Sequence, residues 1–289
     1  MAVRYGIAPG LSGPRWARPP SGASYGVNWA NPITRNLVFF ASWLNTGTDL
    51  AIDLVRGRRS TRTGTQERKA VSDPEMGEVF EWGQDGETGV GEILNWGNLN
   101  YWNGKSQGSI AVWFKALLDA PLSCVLFGCQ NASVGWEGYN VETWKSSGYP
   151  MRNTEASSDN TYEGYECPNT GLSGQWESLV TIYNGNWTEG DRLHLYLNGK
   201  RITGGTMGNV PTAMGTFTDN WQIHIGNIDS EDAHFRAMYL GAWTRTLTPN
   251  EITQLYAPQT RFDIYKFNDP KFYLIPQPLG HKTIGRPGT

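Results

Sequence analysis

The chain has 289 residues, enough for one large all-β domain or two small ones and for a sizeable core. Only 18% of them are charged, while Gly counts 35 and Trp 13. That balance excludes a disordered chain and suits a β-rich one with many tight turns. A formal net charge of −3 gives no electrostatic footprint for nucleic acid. No apolar run is long enough to span a bilayer, and Met1 is followed by Ala-Val-Arg-Tyr-Gly rather than a secretory signal. Synthesis in a cytoplasm is therefore expected, and the sequons at Asn131 and Asn186 carry no meaning. Cys124, Cys129 and Cys167 are odd in number and match no metal spacing, so they read as reduced interior thiols.

Residues 1–30 read as an extended N-terminal arm. Gly6, Pro9, Gly10, Gly13, Pro14, Pro19, Pro20, Gly22 and Gly26 prevent a regular element of useful length. Arg4, Arg15 and Arg18 make the arm basic, and no acidic residue precedes Asp49. Such a segment becomes ordered only on a surface, either its own domain or a neighbouring subunit. The neighbour is the expectation, because a Pro/Gly arm has little of its own to bury. Trp16, Tyr25 and Trp29 are its apolar anchors, with Arg15 and Arg18 at the rim.

Asn36–Leu44 predicts the first core strand, and Asp53–Thr63 a loop and a following edge. Arg56, Arg58, Arg59 and Arg62 cluster there, as a solvated face or as a contact with an acidic partner. Val79–Trp82, Ser109–Ala116 and Leu122–Cys129 predict strands. In the second of these, Ile110, Val112 and Phe114 share one face and Ala111, Trp113 and Lys115 the other.

Residues 130–170 are rich in Asn, Ser, Glu, Trp and Tyr, and predict one or two strands with long decorated loops. Trp136–Thr143 is the best strand candidate. Trp136, Tyr139, Trp144, Tyr149, Tyr162 and Tyr165 beside amides and carboxylates form a candidate glycan-binding set, by ring stacking plus hydrogen bonds. The same rings equally suit a cover for the sandwich or a subunit interface. Exposure on a concave face discriminates between these readings.

From Asp191 the pattern sharpens. Leu193, Leu195 and Leu197 alternate with His194, Tyr196 and Asn198, the period of a half-buried strand. Asn198-Gly199 then signals a type I′ hairpin turn. Trp221–Asn227 predicts another strand, and Phe235–Trp243, apolar on both faces, a strand in the middle of a layered structure. Thr248, Pro249 and Glu251 spell the N-cap, N1 and N3 of a capping box, with Leu247 and Ile252 as a hydrophobic staple and Pro258 ending the helix. Residues 258–289 read as a C-terminal arm, basic and too apolar for a linker, anchored by Phe272, Tyr273 and Ile275. It closes on its own sandwich or adds to a neighbour's sheet edge.

Gly174-Gln175-Trp176, Ser178–Tyr183, Leu197-Asn198-Gly199, Ile225-Gly226-Asn227 and Trp243–Thr248 with Glu251-Ile252 and Leu255-Tyr256 follow in a fixed order. With Asn31–Phe39 and Asp53–Gly57 at the opening, this order resembles the laminin-G-like, concanavalin A-like lectin/glucanase family, in the form found in tailed-phage virion proteins. The resemblance covers roughly residues 31–257. It implies an all-β fold, a two-sheet antiparallel jelly-roll sandwich with a short C-terminal-side helix. It implies no single function.

Glucanases that share this resemblance carry carboxylates on alternate residues of one strand, converging on the glycosidic bond. Glu81, Asp85 and Glu87 come nearest here, but Gly83 and Gly86 break the strand and the spacing does not put three on one face. Neither a nucleophile elbow nor a phosphate loop is found. No catalytic residue and no cofactor is therefore expected. Asp229 and Asp232, with Glu231, are a weak calcium candidate on a rim loop.

The expectation is a non-enzymatic virion structural protein, a capsid decoration or head-fibre component. It would be attached to capsid or other virion proteins and to sister subunits through its arms, without nucleic acid or membrane. The alternative is a tail or fibre module that recognises a host surface glycan, and a glycan hydrolase stands last.

Overall fold

The computed structural model describes residues 25–43, 51–63, 68–82, 92–117, 124–131, 137–146, 149–157, 164–168, 174–216, 222–225 and 235–267. In chain order the first strands are β1 (Tyr25–Val27), β2 (Leu37–Ser42), β3 (Ile52–Asp53), β4 (Arg58–Arg59), β5 (Thr61–Thr63), β6 (Arg68–Asp73), β7 (Gly77–Trp82) and β8 (Glu92–Asn95). Then come β9 (Gln107–Ala116), β10 (Cys124–Asn131), β11 (Glu137–Ser146), β12 (Tyr149–Ser157), β13 (Gly164–Pro168) and β14 (Trp176–Asn184). The last are β15 (Leu193–Leu197), β16 (Lys200–Arg201), β17 (Gly205–Met207), β18 (Gln222–Ile225), β19 (Phe235–Trp243), helix α1 (Pro249–Tyr256) and β20 (Tyr265–Phe267).

All pairings among the described residues are antiparallel, and the two large sheets make an all-β sandwich with one short helix. One sheet runs β17-β13-β12-β11-β10-β18-β8-β5. The other runs β16-β15-β14-β9-β19-β2-β3-β4, with β7 paired to β19 and β6 to β7. Period-two alternation fills the space between them. Ile110, Val112 and Phe114 of β9 and Leu193 and Leu195 of β15 meet Leu94, Phe127, Tyr139, Val141 and Tyr165 of the opposite sheet. Side chains of the opposite phase, Ala111 and Trp113 of β9 and Val180 and Ile182 of β14, point to the outer side of the larger sheet.

That outer side is covered too, which is why β14 and β19 are buried almost throughout. Ile252 and Leu255 of α1, Leu247 before it, Val27, and Phe262, Ile264 and Tyr265 after it build a second core there. The helix is fixed as its sequence dictates: Thr248 accepts from Glu251 N, and the Glu251 carboxylate accepts from Thr248 N at 2.8 Å. The hairpin turn is also as read, with Asn198 at φ 52° and Gly199 at φ 77°.

Two readings need correction, and β19 departs from strict alternation, because a bulge between Ala237 and Tyr239 places Met238 and Tyr239 together on the outer core. Phe235, Ala237, Leu240 and Ala242 face the inner one. Residues 130–170 hold three strands, β11, β12 and β13, and their mixed polar sequences hide the alternation that a hydrophobic strand displays. Finally, the packed unit extends past 31–257 at both ends. β1 pairs with β20, Tyr25 opposite Phe267 and Val27 opposite Tyr265, and Asn28 N donates to Ile264 O at 2.8 Å. The inner ends of both arms thus lie on their own sandwich, because Val27, Phe262 and Tyr265 supply apolar surface that the sheet face can bury.

Candidate functional site

Two of the aromatic residues proposed for glycan stacking are buried between the sheets. Tyr139 is fully buried between the sheets, 6.0 Å from Trp102 and 6.2 Å from Tyr183 by ring centroid, and burial pushes its phenol pKa well up. Tyr165 is buried as well. Its hydroxyl donates to Ile202 O at 3.3 Å and accepts from Gly204 N at 2.9 Å. Both are core residues and leave the glycan-binding set, because Tyr139, like Val141 two residues on, has the inward phase of β11. Trp144 of β11 and Tyr149 of β12 lie on neighbouring strands, Trp144 in register with Met151 and Tyr149 with Ser146. Trp136 and Tyr162 lie outside the described residues, as do Arg15, Trp16, Arg18, Phe272, Tyr273, Ile275, Asp229 and Asp232. Of the arm anchors, Tyr25 packs edge-on to Tyr265 at 5.4 Å, while Trp29 stands 59% exposed.

Of the carboxylates nearest to a catalytic arrangement, Glu81 is engaged in ion pairs. Glu81 receives Arg236 Nε at 2.7 Å and Lys69 Nζ at 3.2 Å. Asp73, at the end of β6, is shared: its Oδ1 accepts from Glu75 N, Met76 N and Trp176 Nε1 at 2.9–3.1 Å, and its Oδ2 meets Arg236 Nη1 at 3.0 Å. Burial alone raises the Asp73 pKa, but these hydrogen bonds and the arginine outweigh it and hold the carboxyl below its usual range. Asp85 and Glu87 lie outside the described residues. Among the described residues no group of three His, Cys, Asp or Glu side chains is placed to hold a metal ion.

This network anchors the wall of a cleft. About 380 Å³ in volume, it is lined by Glu75, Trp113, Gln175, Trp176, Asn198, Tyr256, Pro258 and Arg261. Each comes from a different device of the fold. Trp113 is an outward-phase residue of β9, and its Nε1 donates to Leu255 O at 2.9 Å, which fixes ring and helix together. Trp176 opens β14 and is held by Asp73. Tyr256, the last residue of α1, lies parallel to Trp113 at 6.3 Å with 16° between planes. Asn198 is brought in by the type I′ turn, with its Oδ1 accepting from Ser178 N at 2.9 Å. Arg261, 3% exposed, lies 5.2 Å from the ring centroids of both Trp113 and Phe262, and its Nη1 is 3.2 Å from Glu75 Oε1.

The floor is therefore aromatic and nearly buried, and the accessible rim is Glu75, Gln175, Asn198, Tyr256 and Pro258. Convergent amide, carboxylate and guanidinium groups around ring faces suit a hydroxylated ligand better than an apolar one. In the sequence each of these residues reads as structure alone. The signal that marks them is an outward-facing Trp on a central strand.

Comparison with known proteins leaves the family open and speaks to the fold. No protein-family model matches the chain, and no curated protein sequence matches it. Solved structures do. The binding domain of Paraclostridial Mosquitocidal Protein 1 is similar over 78% of this chain, with a TM-score of 0.53 and 14% identity. A botulinum neurotoxin type C structure, described in terms of its interaction with two ganglioside molecules, gives the same TM-score and identity. So does the binding domain of botulinum neurotoxin DC in complex with rat synaptotagmin II. In each case this chain spans about half of the neighbour, 51–52% of its length. At this identity the likeness concerns the β-sandwich.

Proposed function

We propose that the chain is a non-enzymatic binding module that takes a glycan into the cleft over Trp113 and Trp176. The observation that carries this reading is the cleft itself, with Tyr256 offering a half-buried ring beside the Asn198 and Gln175 amides and the Glu75–Arg261 pair. Sugar rings stack their C–H faces on such aromatic surfaces and use their hydroxyls on such polar groups. Structural neighbours described with gangliosides and with a protein receptor are in keeping with a sandwich used in recognition. The non-enzymatic part is supported by Asp73 and Glu81 both being clamped by Arg236. Screening the protein against immobilised oligosaccharides tests the reading. Retention of a glycan class, lost at least tenfold in Tyr256→Ala with the fold intact, is the expected result. Retention that Tyr256→Ala leaves untouched overturns it.

The β1–β20 pairing favours a second, compatible reading, that this module is carried on a phage particle as a decoration, head-fibre or tail-fibre component. Tyr25 and Phe267 are register partners, so the first and last described residues lie side by side. Segment 1–24 carries three arginines and no acid, and segment 268–289 carries Lys271, Lys282 and Arg286 against Asp269. The residues between hold 18 of the 24 cationic and 26 of the 27 acidic residues, a net −8. Two basic segments with aromatic residues, each joined in sequence to the β1–β20 ribbon, suit attachment to an acidic surface of virion proteins or sister subunits. The laminin-G-like resemblance to phage domains supports that location. Co-sedimentation with phage particles is expected for the full chain and not for a chain of residues 25–267. Equal co-sedimentation of both contradicts it.

A further inference from the structure

Resting on the glycan reading, we infer that the ligand is an acidic saccharide whose carboxylate takes the place of Glu75 on Arg261. A guanidinium stays charged at every physiological pH, so a nearly buried one needs an anion against it. In this structure Glu75 supplies it, from a distance of 3.2 Å. Glu75 is poorly committed to that role. Its side chain is 50% exposed, and it stands on the turn between β6 and β7. Its backbone N–H is pinned by Asp73 Oδ1 at 2.9 Å. The side chain can therefore rotate into water while the backbone stays in place. Water competes well for a half-exposed carboxylate, so the cost of its leaving falls on the nearly buried Arg261 and is removed when an incoming carboxylate pairs with it.

A ligand carboxylate entering behind it keeps Arg261 paired and can engage it in a forked, two-bond geometry. It also brings what Glu75 cannot, a sugar ring to lie on Tyr256 and hydroxyls to meet Asn198 and Gln175. A neutral sugar leaves the Glu75–Arg261 pair closed and meets only the rim. The net −8 of residues 25–267 opposes an anion at long range. At physiological salt this field is screened beyond about 8 Å, which leaves the contact with Arg261 to decide.

The test uses the full chain and a panel of uronic- and sialic-acid-terminated oligosaccharides, each beside its carboxyl methyl ester and beside neutral oligosaccharides. Binding of the acids at least tenfold tighter than of the esters is expected. Glu75→Gln, which removes the competing carboxylate while keeping shape, should raise affinity for the acids several-fold. Arg261→Gln, kept only if its melting curve remains cooperative, should abolish the difference between acid and ester, whereas Arg261→Lys, which keeps the charge and loses the fork, should only reduce it. Esters bound as tightly as acids, or acids bound more weakly by Glu75→Gln, overturn the inference. Neutral glycans retained through Tyr256 with no preference for acids would overturn it alone and leave the glycan reading standing. A panel with no glycan bound would overturn both.

Discussion

Asp73 is 1% exposed, yet it is the point where two loop amides, an indole, a lysine and an arginine converge. Its folded pKa lies below the unfolded value of about 3.9, so its stabilising contribution is complete above that value. The contribution is lost as the pH falls through the lower, folded pKa. Asp73→Asn should destabilise the protein by about 3 kcal/mol at neutral pH, because Lys115 loses its carboxylate partner and Arg236 keeps only Glu81 of its two. Denaturant titrations from pH 7 to pH 2.5 should show the gap between wild type and variant closing below about pH 4. A gap independent of pH would show that shape rather than charge matters at this site. Glycine identity can be tested at one close approach. A Cβ on Gly185 would run into the Thr212 carbonyl, so Gly185→Ala should cost on the order of 3 kcal/mol by forcing the backbone apart. An unchanged denaturation midpoint would mean that the loop yields freely.

The hairpin at Asn198-Gly199 and helix α1 are the elements that bring Asn198 and Tyr256 to the cleft. Replacing the turn pair by Val-Val puts β-branched residues at positive φ and should destabilise the fold by about 1–3 kcal/mol, read from the thermal midpoint. Thr248→Ala removes the cap and should lower stability by about 1 kcal/mol. Both elements are legible in the sequence, because turn and capping chemistry is local: φ demands and orphan amides are met within a few residues. Strands β9, β14 and β19 are legible from their apolar residues, although the bulge at Met238 and Tyr239 is not, since a bulge is set by the partner strand. Strands β12 and β13 give no such signal, because their sequences, Tyr149–Ser157 and Gly164–Pro168, carry too few apolar residues to mark a phase. The cleft is not legible in sequence at all. Glu75, Trp113, Asn198 and Arg261 come from four separate stretches, and only the packing of α1 on the outer sheet face makes them neighbours.

For the whole molecule, the sandwich closes through its own ends. The ribbon of β1 and β20 covers the outer core with Val27 and Tyr265, so a chain trimmed to 31–257 should unfold at a clearly lower temperature than one trimmed to 25–267. Equal melting would assign the ribbon no part in stability. The central claim is that ligand binds in the cleft over Trp113 and Trp176. The chain has 13 tryptophans, each with an indole N–H signal that can be followed by heteronuclear NMR as a retained oligosaccharide is titrated. The Trp113 and Trp176 signals should move saturably while those of the inter-sheet core, such as Trp96 and Trp102, stay in place. Saturable binding that leaves Trp113 and Trp176 unmoved and shifts Trp144 instead would contradict the claim and return recognition to the other sheet.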